Sequence, residues 1–225
     1  MSLQTILSVA ESVSINDHKF AGQMMSRNMR ISTSEILTVQ PFQFGIKPMN
    51  YLLYSQNRGV LSTLREADRI TEQYINFGST GWVNYIRYQG DMTSGQIVAC
   101  QVQTSSINKT IVLGSLPSIS STAFIVKVGD FIQIGRYSYI ATANVQRGSL
   151  TTVNIPVHRT LMGVVTSPVA AIIGQFGTAT FGGTSYTGVT FPVVLKEYPA
   201  YTLIPMTNDS FIQWEGQFSA IEVVL

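Results

Sequence analysis

Two histidines, His18 and His158, and one cysteine, Cys100, are the side chains best suited to metal or nucleophilic chemistry. Their spacing works against both uses. His18 follows the turn-forming pair Asn16-Asp17, and His158 precedes Arg159 at the end of a strand-like run, so there is no His-x-x-x-His or paired-cysteine ligand set. A single cysteine allows neither an internal disulfide nor a cysteine-based zinc site. Lone cysteines are among the most buried residues, and Cys100 is expected in a core. A hydrolase serine would sit on a Gly-x-Ser-x-Gly elbow, a pattern the chain lacks.

Carboxylate pairs are also scarce. Glycoside cleavage needs two acidic residues flanking one bond, and the second half of the chain offers only Asp130, Glu197, Asp209, Glu215 and Glu222. Asp130 follows Gly129 in a tight corner and reads as an Asx-turn residue. Glu66, Asp68 and Glu72 are interleaved with Arg65 and Arg69, the densest charge in the chain. That pattern predicts a solvated helical face with ion pairs worth tenths of a kcal/mol each. Gly182-Gly183-Thr184 lacks the lysine and glycine spacing of a phosphate loop. Asn108-Lys109-Thr110 and Asn208-Asp209-Ser210 match the glycosylation sequon, but no secretion signal accompanies them. Tyr85, Tyr88, Tyr137, Tyr139 and Tyr201 have rings able to stack on sugars, yet they alternate with apolar partners as core residues do. The chain is therefore expected not to be an enzyme, with no catalytic residue, no metal and no cofactor.

Composition narrows the partners. Charged residues make up 12% of the 225 and hydrophobic residues 45%; the charged share is roughly half the usual value of about 25%. Ser, Thr, Gln, Asn and Gly take the place of the missing charge. Such a chain is not intrinsically disordered, nor a helical bundle with Glu- and Lys-rich faces. The net charge is +2, from 14 basic and 12 acidic residues, and no Lys/Arg cluster appears. Direct nucleic-acid binding is therefore disfavoured. Met1 to Leu7 lacks a basic, then apolar, signal-peptide pattern, and the apolar run Val164–Ile173 is short and interrupted by Pro168, so no membrane insertion is expected. The expected site of synthesis and folding is a cytoplasm.

The elements that would position these residues are mostly strands. Period-two alternation marks Ser12–Asn16 and Thr38–Gln40 running into Phe42–Phe44, with Pro41 and Pro48 confining these strands to edges or strand starts. Val60, Leu64, Ala67, Ile70, Tyr74 and Phe77 form one apolar stripe, predicting a helix over about 59–77 that Gly78 stops. Trp82–Tyr88, Gln96–Val102 and Lys109–Leu113 read as strands. Phe124–Val128, Phe131–Ile134, Tyr137–Val145 and Leu150–Val157 are four short strands with Gly129, Gly135 and Gly148 at the corners, which predicts a small barrel over 123–160. Thr160–Leu195 carries no charged residue. It is expected to be a long hairpin or to be covered by another subunit, because free it would be an aggregation hazard. Ile212, Trp214 and Phe218 place the C-terminal strands in the main core. The small barrel is thus an insertion between residues 1–122 and 161–225.

Arg27-Asn28-Met29-Arg30-Ile31-Ser32-Thr33-Ser34-Glu35, Pro41-Phe42-Gln43-Phe44, the single helix, and Gly129-Asp130-Phe131-Ile132-Gln133-Ile134-Gly135 leading to Val157-His158-Arg159 resemble tail proteins of tailed bacteriophages. The order of elements is similar to the tail-tube family shared by tube, distal-tail and baseplate-hub proteins. The resemblance implies a mainly β fold, a tail-tube-like β-sandwich with one flanking α-helix and an inserted small β-barrel. It also implies a structural virion protein, a hexameric ring at the distal tail or baseplate hub that continues the tail tube and docks other phage tail or baseplate proteins. No single functional residue carries over, because that family works through surfaces.

Closed rings use heterologous interfaces, and these would cover the neutral strand edges that low charge leaves exposed. Thr160–Leu195 is accordingly expected to be mobile in the free subunit and ordered in a ring. The alternatives are a main tail-tube or tube-initiator protein and, in a different class, a receptor- or carbohydrate-binding β-module of the tail tip. The inserted barrel favours the hub over a protein stacked many times along a tube.

Overall fold

The alternation of Val13 and Ile15 with serines becomes the strand Ala10–Asn16 in a computed structural model that describes residues 3–17, 21–25, 30–35 and 41–224. The protein is mainly β, with antiparallel pairing in its sheets. It divides into two compact units, Met1–Ile75 with Pro192–Leu225 and Asn76–Phe191. The strands expected over 123–160 lie inside the second of these. His18 and the Thr38–Gln40 run fall outside the described residues, as do Arg27 to Met29.

The first unit is built on a five-stranded sheet in the order Ala10–Asn16, Gln43–Pro48, Phe218–Glu222, Thr190–Glu197, Gln73–Asn76. Ile15, Phe44, Ala220 and Leu195 stand opposite one another in turn across four of these strands, so they share one face. Phe44, Ile46, Phe218, Ala220 and Leu195 are buried on it; each large side chain contributes about 1.5–3 kcal/mol. Ser14, Gly45 and Ser219 form the matching row on the opposite face. The strand Gln43–Pro48 has partners on both sides, which corrects the expected edge position. Proline is tolerated because Pro48 is its last residue. The all-strand expectation for the first fifty residues also misses a helix, Leu3–Ser8, which buries Leu3, Ile6 and Leu7 beside the first two strands.

The main helix is Tyr54–Ala67, not 59–77. Val60, Leu64 and Ala67 are buried as the stripe requires, together with Leu61. Beyond Ala67 the stripe is coincidental. Asp68 is non-helical (φ −51°, ψ 115°) and Arg69 is left-handed (φ 59°), and Ile70 is 84% exposed. Ile75 is buried through the alternation of the strand Gln73–Asn76 instead. Arg65, Glu66 and Arg69 are exposed, in keeping with a solvated face. Arg65 donates to the Tyr201 hydroxyl at 3.4 Å, and Arg69 pairs with its neighbour Asp68 at 3.5 Å rather than one turn away. A second sheet runs Tyr201–Met206, Asp209–Trp214, Leu52–Leu53. On it Trp214 packs edge-on against Tyr201 and Phe218, with centroids 5.4 and 5.2 Å apart. Ile212, Trp214 and Phe218 are buried, as expected.

In the second unit the strands Thr110–Gly114, Phe124–Val126, Phe131–Ile134 and Val153–Pro156 fall where the sequence puts them. Tyr137–Ile140 is shorter than expected, and Val145–Gln146 is a separate strand paired with Phe124–Val126. Two expectations are overturned. Trp82–Tyr88 is not a strand but a run of tight turns around a 3-10 helix, Val83–Tyr85, in which N–H groups of Val83, Tyr85 and Ile86 bond three residues back. Gln96–Val102 is the helix Ser94–Ala99 followed by the short strand Gln101–Val102. A capping box forms that helix: Thr93 caps its start, and the Gln96 side chain accepts the Thr93 N–H at 2.8 Å.

Thr160–Leu195 is covered in part by the chain itself, while 166–170 are exposed. Ala171, Ile173, Phe181, Val189 and Phe191 are buried within the second unit, and Val193 and Leu195 within the first. A hairpin is present, Thr178–Phe181 with Thr184–Thr187, turning at Gly182 and Gly183 with φ 54° and 80°. The Gly182-Gly183-Thr184 sequence is therefore a two-residue hairpin turn and not a phosphate cradle. No helix among the described residues is long and apolar enough to cross a membrane.

Candidate functional site

The residues with chemical potential are committed to holding the fold. Cys100 is fully buried, and its thiol donates to the Gln96 carbonyl at 3.3 Å. Burial pushes the thiol pKa up to about 11, with Arg147 acting weakly the other way, so the thiol stays protonated near neutral pH. His158 spends Nδ1 as the acceptor for the Ile140 N–H at 3.0 Å. Arg159 is 1% exposed; it donates to the Ser138 carbonyl at 2.7 Å and lies 5.3 Å from the Tyr139 ring. Tyr88, 9% exposed, donates its hydroxyl to the Ile125 carbonyl at 2.6 Å and accepts the Met92 N–H at 3.2 Å. Desolvation raises that phenol's pKa.

Asp130 is the most constrained carboxylate. It has no exposure, and its two oxygens accept from the Gln89 N–H at 2.8 Å and the Lys127 N–H at 2.7 Å. The second bond is local, but it comes from the N–H three residues before Asp130 and not from two residues on as in the expected Asx turn. The first ties the turn to a distant segment, which sequence spacing does not reveal. Desolvation raises its pKa against the opposing pull of these N–H groups and Lys127. Asp91 makes a parallel tie by accepting the Phe124 N–H at 2.7 Å. Among the described residues there is no cluster of three or more His, Cys, Asp or Glu able to hold a metal.

Other acidic candidates also act as structural acceptors: buried Glu222 accepts the Phe42 N–H at 3.1 Å. Glu215 accepts from the Thr202 hydroxyl at 2.9 Å. Asp209 accepts from both the hydroxyl and the N–H of Ser55, at 2.5 and 3.2 Å, and so caps the Tyr54–Ala67 helix, whose own cap residue Leu53 makes no side-chain cap bond. These bonds lower the Asp209 pKa. A lowered folded value means the stabilisation is present above the ordinary aspartate range and fades as pH falls through the lowered one. Asp209→Ala is expected to reduce helical circular dichroism at neutral pH, with the difference from the wild type vanishing in acid. A difference unchanged down to the acid limit would contradict the cap. Asn108 and Asn208 of the two sequons sit at φ 54° and 69° in tight turns, a conformation asparagine tolerates.

What remains at the surface is edges and faces. The strand Ala10–Asn16 is the outer strand of the five-stranded sheet, with Ser12, Ser14 and Asn16 exposed. Its single charged residue, Glu11, is paired with Lys47 at 3.0 Å. The sheet face beside it is neutral, with a shallow groove of about 210 Å³ between Ser14, Asn16, Gln43, Gln217 and Ser219. Tyr201–Met206 is likewise an outer strand, with Leu203 and Met206 each 41% exposed. Ala21–Met25 pairs with Ile31–Glu35 as a two-stranded sheet that displays Met24 and Met25. Tyr51 is 62% exposed, left-handed at φ 65°, and edge-on to Phe211 at 6.1 Å. No family model matches the chain, and no curated protein shows a significant similarity to it.

Proposed function

We propose that this chain is a structural virion protein of a bacteriophage tail, forming a hexameric ring at the distal tail or baseplate hub that continues the tail tube and docks other baseplate proteins. In this reading the five-stranded and three-stranded sheets of the first unit are the halves of a tail-tube-like β-sandwich, and the strands of 123–160 are the core of the inserted barrel. One observation carries it: among the described residues the nearly uncharged strand Ala10–Asn16 has a neighbouring strand on one side only, next to a neutral sheet face. A row of unpaired backbone donors and acceptors is a template for another strand, and soluble proteins usually block such an edge with lysine or proline. A neighbour in a ring that closes by rotation satisfies it. The commitment of Cys100, His158 and Asp130 to internal hydrogen bonds fits a non-enzymatic part. The protein is then made in the bacterial host cytoplasm and resides in the virion, with protein partners rather than nucleic acid or membrane.

Sedimentation of the purified protein at high concentration, alone and with phage tail extract, tests this reading. Sedimentation at the hexamer mass in either case is expected; a compact monomer throughout contradicts it. A main tail-tube or tube-initiator role would give the same ring but long stacks. The exposed Tyr51 against Phe211 favours one reading of a different class, a carbohydrate- or receptor-binding β-module, because an exposed aromatic with a fixed orientation suits sugar stacking. Micromolar binding on a glycan array, lost in Tyr51→Ala, would shift the assignment to it.

A further inference from the structure

Asn76 and Phe191 are the first and last residues of the second unit, and a buried polar network joins its two ends. Asn76, 2% exposed, donates Nδ2 to the Thr187 carbonyl and to the Thr190 hydroxyl, both at 2.8 Å, with the Val189 carbonyl at 3.4 Å. Its Oδ1 accepts the Gly78 N–H at 3.1 Å. Thr190 has no exposure, and its hydroxyl donates to the Gly188 carbonyl at 3.2 Å. Gln133, also without exposure, reaches Thr190 from the strand Phe131–Ile134. It accepts the Thr190 N–H at 2.8 Å and donates Nε2 to the carbonyls of Thr190 and Gly135, at 3.0 and 3.1 Å. One side chain from the entering end and one amide from the middle of the unit thus both bind Thr190 at the leaving end.

We propose that this Asn76–Thr190–Gln133 clasp closes the second unit on itself, so that residues 76–191 open and close as one cooperative module, separately from the rest of the chain. Two physical reasons support it. Buried amides whose donors and acceptors are all used stabilise one arrangement strongly, because losing any member leaves the others buried and unpaired. Bringing the ends together also costs loop-closure entropy once, and the remaining contacts of the unit then form at a smaller further cost, which favours opening and closing as a unit. The module can therefore be complete before the chain meets any partner, and this holds whether or not a ring forms.

Native-state hydrogen exchange on the full-length protein across a urea series tests the clasp. In the wild type, the amides of Ile132, Tyr139 and Ile155 are expected to converge on one opening step, distinct from that of Phe44 and Ala220. Gln133→Met keeps the length of the side chain and removes the amide. It should accelerate exchange at the first three positions by roughly ten- to a hundredfold and leave Phe44 and Ala220 unchanged. Thr190→Ser, which retains the hydroxyl and the backbone contacts, should stay within a few-fold of the wild type. Equal acceleration at all five positions, or none, overturns the proposal. Should Gln133→Met fail to accumulate as folded protein, the wild-type series decides: two separate opening steps support the module, and one common step overturns it.

Discussion

Replacing Gly174 with alanine is expected to destabilise the full-length protein by about 3–5 kcal/mol, among the largest costs a single methyl group can impose. Gly174 sits at φ 58°, where a side chain already costs about 1–2 kcal/mol. A Cβ there would lie 2.6 Å from the Ile86 carbonyl oxygen, 2.9 Å from the Tyr88 nitrogen and 3.0 Å from the Tyr88 Cβ. Neither side can retreat easily. Gly174 donates its N–H to the Phe131 carbonyl at 2.9 Å, Tyr88 donates its own to the Gln175 side chain at 2.8 Å, and the Tyr88 hydroxyl is bound to Ile125. Gly59 gives the internal control. It lies mid-helix with nothing near its Cβ position, so Gly59→Ala should stabilise the protein by about 0.5–1 kcal/mol. Chemical denaturation of both variants checks the pair; a Gly174→Ala protein within 1 kcal/mol (the approximate scale of a tolerated substitution) of the wild type would show that the 86–88 segment does not press on residue 174.

Asp130→Ala is the second large effect, expected to cost about 2–4 kcal/mol because two backbone N–H groups lose their acceptor at once. Asp130→Asn should fall between, since an amide oxygen serves one N–H and its NH2 group opposes the other. The pH dependence has a definite sign. Burial raises the folded pKa of Asp130 above its ordinary value. The associated stability is therefore complete below the ordinary aspartate pKa and is lost as pH rises through the raised one. The gap between wild type and Asp130→Ala should be widest in acid and narrow toward neutrality. A gap that widens with pH would contradict the assignment of burial as the dominant influence.

Residues that act within a few positions of themselves were legible in the sequence. Ser12–Asn16, Phe131–Ile134 and Val60-Leu64-Ala67 follow from alternation or helical spacing, and the corners at Gly129, Gly135 and Gly148 follow from glycine chemistry. The same periodicity misled where a turn intervened: Ile70 and Phe77 extend the helical stripe on paper, while Arg69 breaks the helix. Aromatic and β-branched content made Trp82–Tyr88 look like a strand, although the Thr80–Gly81 region starts a chain of three-residue turns. The Thr93…Gln96 capping box was a readable signal for the helix Ser94–Ala99 and outweighs the β-branched residues inside it. Long-range ties were not legible. Nothing near Asp130 announces Gln89, nothing near Asp209 announces Ser55, and Asn76, Gln133 and Thr190 are ordinary polar residues until the fold brings them together. The absence of charge over Thr160–Leu195 was visible; burial within the chain's own two units accounts for residues such as Ile173, Phe191 and Val193, while Val164 and Val169 stay exposed.

The assembly itself is tested most directly by negative-stain electron microscopy of the purified full-length protein over a range of concentrations. A ring-forming tail protein should give closed particles with sixfold symmetry and a central channel, and Ser12→Lys or Ser14→Lys, exposed on the outer strand, should abolish them while leaving the monomer folded. Featureless monomeric particles at every concentration, with and without tail extract, would contradict the ring.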